Sequence, residues 1–223
     1  MLRQRHLIDA SKLLVGPFVL ALMASRDAWA SPTAWVYLGV HGTYGVMWAL
    51  KSAIFGDRSW EAPARGFGLL VGLGAFTYWL LPWLLIGSGR EASPPRIAAA
   101  IAAFGLGTFL HFAADMQKTL SMELAPGTLL TTRLWARTRN PNYLGELLIY
   151  GSFVLLVDHW LAVAWVLGIV AAVWTPFMLR KERSLARYPA FAAWKARSGL
   201  LIPWPFGGDG PAAHDPRASG SER

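Results

Sequence analysis

Long uncharged runs alternate with short polar clusters along this chain. Residues 28–50, 66–89, 97–114 and 159–179 contain no Lys, Arg, Asp or Glu. A bilayer core of about 30 Å takes about 20 helical residues, so each run predicts a membrane-spanning helix. Residues 147–157 form a fifth run, which reaches spanning length if Leu144, Gly145 and Glu146 make its first turn; Glu146 then enters the membrane. The run 13–25, preceded by Arg3, Arg5 and Lys12, is short enough to be a signal-peptide core. Arg26 and Asp27 stand between it and Ala28-Trp29-Ala30, the nearest thing to a cleavage site, so an uncleaved first helix is the better reading. The expected fold is all-α: a polytopic membrane bundle of about six transmembrane helices.

The basic residues give this layout a direction. With six spans and both termini cytoplasmic, eighteen of the 21 Lys and Arg fall inside, leaving Arg26, Arg90 and Arg96 outside. This predicts an integral protein of a bacterial cytoplasmic membrane. Composition agrees, with 54% hydrophobic and 15% charged residues, values that exclude a disordered chain and suit a soluble domain poorly. The net charge of +8 is dispersed over short clusters rather than gathered into a basic domain, which argues against a nucleic-acid partner. Without cysteine the chain has no disulfide, thiolate nucleophile or Cys-ligated metal. Residues 1–206 read as one membrane domain, and 207–223, rich in Gly, Pro, Ser and charge, as a disordered tail.

Chemistry concentrates in the polar stretch 115–142 and just beyond it. Arg133, Arg137 and Arg139 provide forked donors suited to phosphate, or else a cytoplasmic anchor for the next span. Asn140 and Pro141 suit a helix start, which opens backbone N–H groups beside the arginines. Asn142, Tyr143 and Glu146 then occupy the first turns, with Asn142 and Glu146 on one face. A carboxylate in an apolar segment costs about 2.5–3.5 kcal/mol on insertion scales, so Glu146 needs a partner or a ligand. The same holds for Asp115, Gln117 and Lys118 at the end of the preceding run. Neither a G-x-G-x-x-G motif nor alternating strands and helices occur, so a nucleotide site here is not a Rossmann site.

The ordered set Ala114-Asp115-Met116-Gln117-Lys118, Leu134-Trp135, Arg139-Asn140-Pro141-Asn142-Tyr143-Leu144-Gly145-Glu146, Tyr188-Pro189 and Ile202-Pro203-Trp204 resembles the C-terminal half of steroid 5-alpha-reductase-like membrane proteins. It is also similar to sterol C14 and C7 reductases and to isoprenylcysteine carboxyl methyltransferases. The resemblance covers about residues 110–206 and implies a cofactor-binding half. The acid after Gly145 favours the reductases, which bind NADPH, over the methyltransferases, which bind S-adenosylmethionine and usually carry an apolar residue there. By resemblance, Asn142 and Glu146 face the nicotinamide and ribose end, and Asp115, Lys118 and the arginines hold ribose and phosphates. The 2′-phosphate falls to Arg137 or Arg139. Glu182 opens a segment that folds back over the cofactor.

The resemblance has gaps. Asn140 replaces the usual His of Arg-His-Pro, no early helix offers the Glu that polarises a substrate ketone, and Gly42 stands where a Tyr would follow His41. Tyr44, one turn from His41, is the nearest substitute, so either residue is a proton-donor candidate or a buried structural group. Lys51 is expected to snorkel or to reach a phosphate. Leu185, Tyr188, Phe191 and Trp194 mark the apolar face of an expected C-terminal interfacial helix on anionic lipid. Three functions compete: an NADPH-dependent reductase of an enone-type double bond in a lipophilic, steroid-like substrate from the bilayer; an S-adenosylmethionine-dependent methyltransferase of a lipidic or prenylated acceptor; and a non-catalytic membrane scaffold. Membrane lipids are partners in all three.

Overall fold

The computed structural model describes residues 2–204, so the expected tail lies outside the described residues. Six helical rods follow the six apolar runs. The first is α1 (Gln4–Leu13) with α2 (Val15–Ser25); the second is α3 (Pro32–Phe55). In the third, α4 (Phe67–Gly74) joins α5 (Leu80–Ser88) through a 3-10 turn over Ala75–Trp79. Then come α6 (Pro94–Leu124), α7 (Pro141–Val157), and a rod of α8 (Trp160–Ile169) and α9 (Thr175–Leu185); a short α10 (Phe191–Ala196) closes the order. Among the described residues there are no strands, only isolated bridges at Arg3–Pro63 and Thr138–Gly199.

Four rods, Gln4–Ser25, Gly68–Ser88, Pro94–Leu124 and Trp160–Leu185, are long and apolar enough to cross a membrane. The other two differ from the expected spans in instructive ways. α3 has 24 residues but carries His41, Tyr44, Lys51 and Ser52 among its apolar ones, whereas α7 is apolar but only 17 residues long. Exposed Ile101, Leu106, Phe109, Trp160 and Leu167 give the bundle an apolar exterior, as a lipid-facing surface requires.

Prolines explain the breaks in the rods. Pro17 cannot donate to the carbonyl of residue 13, and the first rod is interrupted at Leu14, near which Tyr78 Oη and Trp79 Nε1 donate to the Ser11 carbonyl at 2.5 and 3.0 Å. Pro176 follows a π-helical turn, Val170–Trp174, and Thr175 Oγ1 bonds the Val170 carbonyl at 2.8 Å. At the end of the bundle holding Arg26, Arg90 and Arg96, Arg96 pairs with Asp158 at 2.5 Å and Thr33 binds Glu91. The Arg96 hydrogen bond holds the Asp158 carboxyl below the usual carboxylate range; for Glu91, burial raises the value but bonds from Ser31 and Thr33 bring it below that range.

Two expectations need correction. The polar stretch after Asp115 is half helix, because α6 runs on to Leu124 through good helix formers, leaving 125–140 as the connection. The apolar face of the C-terminal segment meets protein instead of lipid. Phe191 and Trp194 are buried with Trp135 and Ala114, flanked by Leu185 and Tyr188, because the 125–140 connection folds over them as a second, small core.

Candidate functional site

The candidate site forms where α1, α3, α6 and α7 meet. α6 and α7 touch backbone to backbone at Gly107 and Gly145. A methyl group on Gly145 would meet the Gly107 carbonyl oxygen at 2.6 Å and crowd the His111 backbone. This close approach sets His111 and Asp115 against Asn142 and Glu146.

The first layer holds an ion pair. Lys51 of α3 bonds Asp115 Oδ2, and both side chains are buried. His111 lies one turn before Asp115, with Nε2 3.9 Å from Asp115 Oδ2 and Nδ1 3.1 Å from the Asn142 carbonyl oxygen. That carbonyl only accepts, so Nδ1 carries the proton and a neutral ring offers Nε2 as an acceptor. Trp48 stacks on the imidazole at 5.8 Å between centroids. Asp115 Oδ1, His111 Nε2 and Asn142 Oδ1 are buried without a hydrogen-bond partner among the described residues. Each such group costs about 1–3 kcal/mol when left unpaired, so three in one layer call for a polar partner from outside the chain, a water or a ligand.

The second layer is one turn deeper. Glu146 Oε1 accepts from Tyr150 at 3.1 Å and from Tyr44 at 3.4 Å. Lys12 Nζ donates to the Tyr150 hydroxyl at 2.9 Å and lies 4.5–5.3 Å from the ring centroids of Tyr44, Trp48, Tyr78 and Tyr150. Lys12 enters because Gly45 lets α1 close on α3; a side chain there would overlap the Lys12 carbonyl. Tyr44 thus joins the two layers, with its ring 6.5 Å from His111 and its hydroxyl on Glu146.

The remaining candidates separate. His41 is stacked on Phe153 at 4.1 Å and bonded to Tyr37 at 2.8 Å; its Nε2 is buried without a hydrogen-bond partner among the described residues, and Phe153 separates it from Tyr44 and Tyr150. Lys118 pairs with Asp57 at 3.0 Å, and Asp57 lines a small cleft with Arg5, Asp9, Trp48, Lys51 and Glu61. Tyr143 packs on Trp174 at 5.4 Å. Arg139 is buried and committed within the protein. Its guanidinium bonds Glu182, the Ser198 carbonyl and, at 3.3 Å, the Lys195 carbonyl. Glu182 also meets Lys195 at 3.1 Å. Residues 198–204 clasp the same segment: the Arg139 N–H donates to the Gly199 carbonyl at 2.9 Å, and Asn140 Nδ2 donates to the Leu200 carbonyl at 2.8 Å. Arg137 keeps an exposed side chain at this surface.

Sequence reasoning places Lys12 among the cytoplasmic basic residues, expects Lys51 to snorkel or to reach a phosphate, and does not single out His111 or Tyr150. The last two had a signal, since each lies four residues, one turn, from a singled-out carboxylate. Lys12 had none, because its hydrogen-bond partner is 138 residues away.

Residues 80–188 match DUF1295, a family described as protein of unknown function. No curated protein and no solved structure matches the chain. The DUF1295 match contains His111, Asp115, Asn142, Glu146, Tyr150 and Glu182, whereas Lys12, Tyr44 and Lys51 lie before it.

Proposed function

We propose that the protein is a membrane-embedded, NADPH-dependent reductase of an enone-type double bond in a lipophilic, steroid-like substrate. The observation that carries this reading is the layer of unpartnered polar atoms on Asp115, His111 and Asn142 beside the Tyr44 hydroxyl that donates to Glu146. An amide-bearing ring offers donors that Asn142 Oδ1 and Asp115 Oδ1 lack, and a ring-stacking environment already surrounds His111. DUF1295 as a steroid 5-alpha-reductase-like membrane family supports the same direction.

The roles follow from chemistry. NADPH, when bound, supplies the hydride. Asn142 and Asp115 would hold the nicotinamide end, with Glu146 fixing the tyrosine hydroxyls next to it. The Tyr44–Glu146 hydrogen bond is long, so the Tyr44 proton is the one available to a substrate carbonyl oxygen as that oxygen gains negative charge. Arg137, exposed, and Lys118, half-buried, are the cations at the outer end suited to phosphates, whereas the Arg139 guanidinium is buried against Glu182 and backbone carbonyls.

The test is thermal denaturation in detergent with NADPH, NADH or S-adenosylmethionine. NADPH is expected to raise the melting temperature of the wild type and to lose that effect in Glu146→Gln. Selective stabilisation by S-adenosylmethionine overturns the reductase reading in favour of methyl transfer; no response to any of the three favours a scaffold.

A further inference from the structure

Lys12 is a buried ammonium on a helix outside the DUF1295 match, and nothing in the hydride-transfer scheme above uses it. A lysine placed in an apolar rod is costly unless its charge is answered. Within hydrogen-bond reach it has the Tyr150 hydroxyl, and the rings of Tyr44, Trp48, Tyr78 and Tyr150 surround it. Such a cage is what proteins build for cationic ligands, and here the chain fills it with its own side chain.

The donor and acceptor inventory fixes a direction. An ammonium only donates, so Tyr150 must accept from Lys12 and send its own proton elsewhere. The acceptor is Glu146 Oε1, 3.1 Å away. Lys12, Tyr150 and Glu146 therefore form an ion pair bridged by a phenol, with formal charges that cancel. The other charged pair nearby, Lys51 with Asp115, is already neutral in sum and cannot serve Glu146 as well. With Tyr150 held between the two charges, Tyr44 makes the second, longer bond to Glu146.

We propose that Lys12 is a positioning residue for this centre: acting through Tyr150, it supplies the counter-charge of Glu146 and fixes the carboxylate for its ligand. The ligand half of this statement rests on reading Glu146 as part of the cofactor end; the charge pairing does not.

The groups that face the bridge are Asp9 on α1, Tyr44, Trp48 and Lys51 on α3, Tyr78 between α4 and α5, and His111 and Asp115 on α6. Of these carboxylates, Asp9 is engaged by Trp48 and Ser52 at 3.2 and 2.9 Å, which leaves Glu146 as the partner of Lys12.

A double-mutant cycle of Lys12→Met, Glu146→Gln and the combined variant tests the pairing in the purified full chain, read as melting temperature in detergent. Lys12→Met, which keeps the length of the side chain and strips its charge, is expected to lower the melting temperature by about 10 °C. Adding Glu146→Gln to it should recover most of that loss, since the stranded carboxylate is then neutral. Packing damage alone would not be repaired by changing Glu146. Losses that simply add overturn the proposal, as does a Lys12→Met protein as stable as wild type. NADPH affinity is read on the same samples, and Lys12→Met should weaken it about tenfold. An unchanged affinity together with coupled melting temperatures removes the positioning role and keeps the ion pair. If NADPH fails to bind even the wild type, the cofactor reading falls, while the cycle still decides whether Lys12 answers Glu146.

Discussion

Two polar clusters lie within one stretch of sequence and are built to opposite standards. Around Arg139 the guanidinium is well answered: Nε donates to Glu182, and Nη1 donates to the carbonyls of Lys195 and Ser198. Around Asn142, three residues later, Asn142 Oδ1, His111 Nε2 and Asp115 Oδ1 are buried and unanswered. A saturated cluster has nothing to offer a ligand and contributes to folding. A deficient one is destabilising on its own and gains when something binds. The Arg-Asn-Pro-Asn segment thus carries a latch in its first half and, in its second, the surface assigned above to the proposed cofactor.

The sharpest way to break this contrast is Arg139→Met. Removing the guanidinium leaves Glu182 buried with only Lys195, and a broken buried pair costs about 3–5 kcal/mol. A melting temperature within a degree or two of wild type would show that the latch is not structural. Gly145→Ala tests the scaffold that holds the deficient cluster together. Its methyl group must push α6 away at Gly107 and His111, at a cost of about 1–3 kcal/mol, and denaturation curves should show the loss.

Asn142→Ala should behave in the opposite manner to Arg139→Met. It deletes an unpaired polar atom, so stability should hold or rise slightly, while NADPH-induced stabilisation falls by the equivalent of about tenfold in affinity. Equal loss of stability in both variants would erase the distinction between the clusters. The smallest effect lies at the mouth of the cleft, where Arg3 and Arg5 pair with exposed Glu61. The Arg3 hydrogen bond, helped by the Arg5 charge, holds the Glu61 carboxyl below the usual carboxylate range. A depressed carboxylate contributes stability above its unfolded value, about pH 4.3, and loses it as the pH falls through the folded value. Glu61→Gln should therefore flatten the acid side of the melting-temperature profile slightly and leave neutral pH nearly unchanged.

The legibility of this molecule follows the range of the interactions involved. Uncharged runs read directly as helical rods, because burial in apolar surroundings is decided by composition along one segment. Pro141 at the first position of α7 and the shared face of Asn142 and Glu146 were also readable, since both are matters of a single helical turn. The start of the first rod was not. Arg5, Asp9 and Lys12 look like the end of a span, yet Lys12 is buried by residues of α3, α7 and the α4–α5 rod. Lys51 misled for the same reason, its partner Asp115 being 64 residues distant. The apolar stripe ending at Trp194 was found, but periodicity shows only that a face is apolar; the folding of 125–140 over it decided that protein covers it.

The Arg139 latch also has a consequence for the order in which the chain is made. Its carboxylate partner lies 43 residues downstream and its carbonyl acceptor at Ser198 lies 59 downstream. While the ribosome is still extending the chain, α6 and α7 can already pair at their glycines, but Arg139 is still unanswered. The latch waits for the segment around Ser198 to emerge and thread back, which makes its assembly a late event in biogenesis.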